Sequence, residues 1–566
     1  MLSNLLITQF STLALLTPPV AAEYMALVPG AIVSVLALII ILVDSFHRPG
    51  TRRDYLAYFS AIGLALAGFS AYVLWDNTLA GPVFNGMLYL DKFGLFFAIL
   101  ACLAGGLAVL QAPSYMRLVR MDRGEYYMLV LFSVAGAIFM ANAADMLTLF
   151  IALEVMSIPV YCLAGYLRRD GRSAEAALKY FILGAFSAGL MLYGISLIYG
   201  VTGTTSLEFI GRNLSIIIHD PDPAGALASG NLITVGMLLI FSGFAFKIAA
   251  VPFHIWTPDV YTGSPAPAVG YMSTAVKAGA IAAMLRVLLI AFEDPVLRGG
   301  FNGFGWLDVV FFCAAASMVL GNVVAIMQKN VKRMLAYSSI AHAGYLLVGV
   351  AASSASPEFF LHHDTVLFYL ATYTAGTVGA FGVLSILGKN GRPVETYDDL
   401  AGLGLKYPVA GVLMGLFMFS SAGVPPFGGF VGKLYIFSSA VQVGNTTGEF
   451  SFIGLALVGV LSSVAGAYYY LKVLVSMYMK KADEKADTEM VMTSSAKVSL
   501  FASALLTLAL GIFPGFAIEM ARESMVDFQG PSATTQKVQE QGRQQLEEMR
   551  QKEASSRVVA DGVPQG

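Results

Sequence analysis

Phe244-Ala245-Phe246-Lys247-Ile248-Ala249-Ala250-Val251-Pro252-Phe253-His254 and Ala422-Gly423-Val424-Pro425-Pro426-Phe427-Gly428-Gly429-Phe430-Val431-Gly432-Lys433 decide the fold. Each segment lies in a long apolar stretch, each places Val-Pro before Phe, and each carries one lysine. Proline cannot donate to the i−4 carbonyl and clashes with the preceding turn, so both stretches are predicted to be interrupted helices. Unwound backbone at membrane depth is tolerated only where it is buried in protein or lines a wet cavity. One such segment reads most simply as a packing kink. Two of them, each with a lysine, point to a transport site.

The composition sets this pair in a membrane. Of 566 residues 57% are hydrophobic and 12% charged, which excludes a soluble multidomain enzyme and a disordered chain. A net charge of −2 gives no reason to expect nucleic acid. Cys102, Cys162 and Cys313 are scattered in apolar runs and read as small core residues, with no disulfide framework or metal-ligand spacing.

A span needs about 20 mostly apolar residues, and fourteen such stretches occur between residues 25 and 519. The two interrupted ones are the seventh (232–257) and the twelfth (410–440). Residues 1–22 are apolar but lack the basic start of a secretory signal, and are read as a lead-in. Lys and Arg collect on the cytoplasmic side of short loops. Taken alternately, one set of loops holds nineteen of them and the other holds Arg212 and Arg298. A miscounted span would scramble that alternation, so the count stands and both termini are placed on the non-cytoplasmic side. Broken spans five apart imply two five-helix repeats, inverted because the number per repeat is odd. The expected division is 1–125 for the lead-in and helices 1–3, then 126–292 for the first repeat. The second repeat follows at 305–480, then 497–519 for the fourteenth helix and 520–566 for a polar tail. The fold class is therefore an all-α polytopic membrane protein.

Several ionisable residues then sit where none belongs: Glu154, Lys179, Lys247, Lys277 and Lys433, with His254 and His342 in or beside spans. Each charge at mid-bilayer costs roughly 2.5–3.5 kcal/mol on insertion scales, so four lysines and a glutamate cost on the order of 10 kcal/mol. That is comparable to the whole stability of a typical fold. The groups must face a paired or hydrated interior, and the default reading is a proton or ion path. Lys179 and Lys472 stand near span ends, where a long side chain snorkels, and Arg286 reads as an anchor. Burial disfavours a charged lysine and a nearby carboxylate favours it, so a Lys–Glu pair is a switchable proton site. Glu154 with Lys247 is the preferred pair. His254, beside the first break, and His342 are candidate relays; a lone buried histidine is more often a hydrogen-bonded core residue. His362 and His363 fall in a loop and read as solvated. No Cys-x-x-Cys, Gly-x-Gly-x-x-Gly or Walker-type loop is present.

The string Pro252-Phe253-His254-Ile255-Trp256-Thr257-Pro258-Asp259-Val260-Tyr261-Thr262-Gly263-Ser264-Pro265-Ala266-Pro267, then Lys277, resembles the signature of the subunit N family of the proton-pumping NADH–quinone oxidoreductase, complex I. Lys332-Arg333-Met334-Leu335-Ala336-Tyr337-Ser338-Ser339-Ile340-Ala341-His342-Ala343-Gly344-Tyr345 resembles that family's tenth span, over an alikeness running from about 25 to 520. The Pro-Pro-Phe-Gly-Gly-Phe then Lys433 segment is shared more widely among antiporter-like subunits. The resemblance implies fourteen helices in two inverted repeats. It implies that Glu154, Lys247, Lys277 and Lys433 match buried proton-path residues, with Lys179 and His254 less central. It implies a three-helix neighbour on one side, a sister antiporter-like subunit on the other, surrounding lipid, and a bacterial inner membrane. It implies no cofactor in this chain, with NADH, FMN, iron–sulfur clusters and quinone bound by partner subunits.

Two rivals remain. One is a subunit of an Mrp-like cation/proton antiporter driven by an ion gradient; there the family string is closer to Leu-Pro-Asp-Ala, where this chain has Thr-Pro-Asp-Val-Tyr. The other is a quinone-binding electron-transfer protein, disfavoured by the missing haem and iron–sulfur ligands.

Overall fold

A computed structural model describes residues 22–46, 53–121, 123–219, 223–300, 303–354, 364–482 and 487–528. The lead-in before 22, His362, His363 and the chain after 528 lie outside the described residues.

The spans follow the chain in order. They are α1 (Glu23–Ser45), α2 (Asp54–Val73), α3 (Lys92–Leu118), α4 (Glu125–Ala141), α5 (Met146–Ala164) and α6 (Gly171–Thr202). A short amphipathic helix, α7 (Leu207–Ile218), precedes α8 (Pro223–Ile248), the break, and α9 (Thr257–Gly263). Then come α10 (Ala266–Ala291), α11 (Trp306–Met327), α12 (Val331–Ala352) and α13 (Asp364–Ile386). The second interrupted span is α14 (Pro408–Ala422) and α15 (Gly428–Thr447), followed by α16 (Phe450–Met479), α17 (Ser494–Ile512) and α18 (Gly515–Phe528). Twelve helices among the described residues are long and apolar enough to cross a membrane, and the shorter α4 and α14 complete the fourteen spans.

Both predicted breaks are present. In the first, Ala249 has φ +61, and its amide and that of Ala250 fold back onto Phe246 and Ala245. The freed backbone is satisfied by side chains: the Val251 amide donates to Ser317 Oγ at 2.9 Å, and Trp256 Nε1 donates to the Phe246 carbonyl at 3.1 Å. In the second, Gly423 takes φ +87, a conformation glycine adopts without steric cost, and the Gly429 amide donates to Ser420 Oγ at 3.1 Å. Buried partners of this kind are what unwound backbone needs at this depth.

The centre of the bundle is α10, α12 and α13, which are buried on nearly all sides. The outer helices α1, α2, α6 and α16 bury one face and expose Leu38, Leu42, Phe69, Phe186, Leu461 and similar side chains, as a lipid-facing belt requires. Two small antiparallel sheets lie outside the spans. One pairs Pro82–Val83 with Leu88–Tyr89; the other sets Leu387–Lys389 between Arg392–Pro393 and Thr488–Met490.

Three readings need correction. Cys162 is exposed, unlike Cys102 and Cys313. The polar tail does not begin at 520, because α18 follows Pro514 and packs back on α3 and α13. Lys92, passed over in the loop count, opens α3 on the side away from the basic loops and meets Glu523 of α18 at 3.5 Å.

Candidate functional site

Glu154, Ser157 and Tyr161 follow one another on α5 at spacings of three and four, so they share one face. Lys247, in the last turn of α8, reaches that face. The residue is 2% exposed, and its Nζ donates to Ser157 Oγ at 2.7 Å and to Tyr161 Oη at 2.8 Å. Glu154 makes no ion pair with Lys247 among the described residues, so the preferred pair is not in direct contact. Glu154 also lines an apolar groove of about 380 Å³ formed with Phe132, Phe150, Ile151, Val155, Ile158 and Pro159. Its Oε1 is buried and has no hydrogen-bond partner among the described residues.

Lys277 follows a π-helical turn, Met272–Val276, that rotates it toward α12. Its Nζ donates to the Ser339 carbonyl at 2.6 Å and to Ser339 Oγ at 2.7 Å. Tyr373 of α13 donates to the same Oγ at 3.0 Å, and its ring lies 4.8 Å from that of His342. His342 is held at both nitrogens by phenols, with Tyr369 at 2.6 Å on Nδ1 and Tyr470 at 3.0 Å on Nε2. Tyr470 also bonds Ser338. Tyr345 packs its edge on His342, holds Asn322 Nδ2 at 3.0 Å, and lies under the Lys433 ammonium at 5.4 Å from its ring centre.

Lys433 closes the run. Its Nζ donates to the carbonyls of Ser421 (2.7 Å) and Ala422 (3.2 Å) and to Ser463 Oγ (2.8 Å). Those carbonyls end α14, where the helix dipole is negative and favours a cation. The sequence places Lys247 before its break and Lys433 after its own; the Lys433 ammonium caps the backbone of its break, whereas that of Lys247 meets side chains of α5.

Lys179 and His254 lie outside this run. Lys179 pairs with Glu175 at 2.6 Å and with Asp259 at 2.7 Å; Arg333 holds the other oxygen of Asp259 at 2.5 Å. Burial pushes the Asp259 carboxyl up, but the hydrogen bonds from Lys179 and Arg333 outweigh it and hold the group below its ordinary value. His254 is half-buried in the first break and bonds neither lysine.

Other buried charged groups were not legible in the sequence. Lys332, counted as a loop charge, is buried and caps α9, donating to Thr262 O at 2.8 Å and Ser264 O at 2.7 Å. Arg286 is an anchor, as expected, but its partner Asp91 was not foreseen: the guanidinium bonds both carboxylate oxygens at 2.9 and 2.7 Å. The serines and tyrosines around the lysines were also missed. Their helical spacing (Ser338, Ser339, His342, Tyr345) was the available signal.

The family model described as "NADH:quinone oxidoreductase/Mrp antiporter, TM" matches residues 143–459. NADH-quinone oxidoreductase subunit N of Trichlorobacter lovleyi is 44% identical over 88% of this chain and 96% of its own length. A subunit N of Sorangium cellulosum is 43% identical over 89% and 98%. The chain belongs to the subunit N family of the NADH–quinone oxidoreductases. A chain of respiratory complex I from Thermus thermophilus superposes with a TM-score of 0.69 at 33% identity, covering 87% of this chain and 99% of that one. A chain of the Mrp complex from a Dietzia strain shares the fold, with a TM-score of 0.73 at 20% identity over 91% and 99%. The subunit N relatives' far greater identity favours complex I over the antiporter alternative.

Proposed function

We propose that this complex I subunit moves protons along the buried run from Lys247 through Lys277 and His342 to Lys433. Electron transfer from NADH to quinone, carried out on partner subunits with FMN and iron–sulfur clusters, drives the movement. The chain itself supplies no redox chemistry. The observation that carries the reading is the continuous polar line Lys277–Ser339–Tyr373–His342–Tyr345–Lys433 inside a largely apolar bundle. Each lysine there has hydroxyl or carbonyl acceptors that stabilise its ammonium, and no direct carboxylate partner among the described residues. Its charge therefore responds to a distant one. Glu154 is that distant charge for Lys247: an approaching cation would neutralise its influence and release the Lys247 proton.

The excess of Lys and Arg in alternate loops supports the α5 to α6 and α11 to α12 junctions lying on the cytoplasmic side of a bacterial inner membrane, with both termini opposite. The neighbours are a small three-helix subunit and a sister antiporter-like subunit. The division into repeats at 126–292 and 305–480 fits a break at α8/α9 and another at α14/α15. The test is NADH-driven proton uptake by inverted vesicles carrying Lys247→Ala, Lys277→Ala or Lys433→Ala in an assembled complex. Uptake should fall in each; unchanged uptake in all three removes the path.

A further inference from the structure

The polar run ends at Tyr369 and Lys433, short of the surface opposite the basic loops. Among the described residues, Asp91, Asp294, Asp364 and Glu449 are buried carboxylates toward that side, and Asp364 is the one bonded to Tyr435 on the helix that carries Lys433. Asp364, the first residue of α13, is 1% exposed. Its Oδ2 accepts from the Tyr435 hydroxyl at 2.5 Å and lies 3.8 Å from Nε of Arg522 on α18. Its Oδ1 is closed off and makes no well-aligned hydrogen bond among the described residues; the nearest donors are the first amides of α13. A buried carboxylate oxygen left in that state is costly unless it is protonated or met by water.

Its connections run both ways. Inward, Tyr435 belongs to α15, the helix of Lys433, where the two side chains leave different faces, and Tyr369, which holds His342, stands five residues along α13, roughly 7.5 Å by helical rise. Outward, the Arg522 side chain is 48% exposed and also faces Glu519 at 3.7 Å. Among the described residues, the titratable and charged groups around Asp364 are Tyr435 from α15 and Arg522 with Glu519 from α18.

We propose that Asp364 is the residue through which this subunit releases its proton on the side away from the basic loops, with Arg522 as its positioning cation. The proposal rests on the buried run being the proton path. Lys433 gives its proton through intervening water to Oδ1 of Asp364: an N–H bond breaks, an O–H bond forms, and ammonium and carboxylate become amine and acid. The acid passes the proton to water at the outer face and returns to carboxylate. Tyr435 keeps its own proton and fixes Oδ2. Arg522 stays charged and attracts the carboxylate as it re-forms.

Asp364→Asn keeps the size and an acceptor oxygen but carries no titratable proton, whereas Asp364→Glu retains one. In inverted vesicles whose complex is assembled on a native gel, Asp364→Asn should slow NADH-driven proton uptake about threefold or more. It should also flatten the dependence of uptake on internal pH, which a purely structural anchor would leave in place. Asp364→Glu should recover most of the rate. Lys433→Ala is measured alongside. Loss with Lys433→Ala but wild-type uptake with Asp364→Asn overturns this proposal alone. No loss in either overturns the buried path as well, and loss only with Asp364→Asn overturns the link between the two. If Asp364→Asn fails to assemble, Arg522→Gln at the half-exposed site carries the test, and wild-type uptake there overturns the proposal.

Discussion

Lys433 Nζ lies 2.7 Å from the carbonyl oxygen of Ser421, twelve residues earlier in the chain and across the break in the same span. The lysine of one half-helix thus caps the C-terminus of the other. Unwinding leaves the last carbonyls of α14 without amides, and a cation there answers both the missing hydrogen bonds and the negative end of the dipole.

Replacing that cation should therefore affect both proton movement and local packing. Lys433→Ala should lower NADH-driven proton uptake about threefold or more, on the order of 0.6 kcal/mol in barrier. Gly429→Ala, whose Cβ would collide with the Ser420 carbonyl, should have a similar effect with Lys433 intact. Fluorescence quenching of a pH-sensitive dye in inverted vesicles measures both, and normal uptake in Gly429→Ala would show that the break tolerates movement.

At the other break, Lys247→Arg should impair uptake nearly as much as Lys247→Ala, because arginine does not release its proton in proteins. Ser157→Ala should give a milder loss, since Tyr161 still accepts from Lys247 at 2.8 Å. Glu154→Gln should slow uptake while the complex still assembles. Uptake equal to wild type in both Glu154→Gln and Lys247→Ala would end the case for their coupling.

The Arg286–Asp91 pair is a matter of stability. The Arg286 side chain is 1% exposed, sandwiched by Tyr89 and Phe93, and also donates to the Ala141 carbonyl at 2.6 Å. Arg286→Met alone leaves a buried carboxylate uncompensated and should cost about 3–5 kcal/mol. Adding Asp91→Asn should recover part of it. Thermal melting of the purified complex, or its yield on native gels, reads the difference; equal losses in the single and double variants would contradict the pairing.

The Lys179–Asp259–Arg333 junction should be insensitive to pH in the working range. A carboxyl held below its unfolded value of about 3.9 contributes stability that is present above that value and lost as pH falls through the lower folded one. Uptake should thus show no titration assignable to Asp259 between about pH 5 and 8. An Asp259→Asn variant whose pH profile in that window differs from wild type would refute this.

Much of the fold was legible in the chain because the bilayer restricts what can cross it. Apolar length gave the fourteen spans, and Pro252 and Pro425-Pro426 marked the two breaks. The buried lysines were legible too, since a charge in such a stretch has few benign explanations. Their partners were not. Glu154 shares a helix face with Ser157 and Tyr161, yet whether Lys247 meets the carboxylate or the hydroxyls depends on how α5 packs against α8.

The amino-acid order by itself settled which residues must be hidden from lipid, because desolvation depends on residue type and span length alone. Only the packed bundle decided who meets whom. Ser339 against Lys277, His342 between two phenols, Lys332 on the end of α9, and Asp364 under Arg522 all join residues from helices far apart in sequence. Hydrogen bonds reach about 3 Å, and no pattern of residue types along one helix can say which neighbour comes that close.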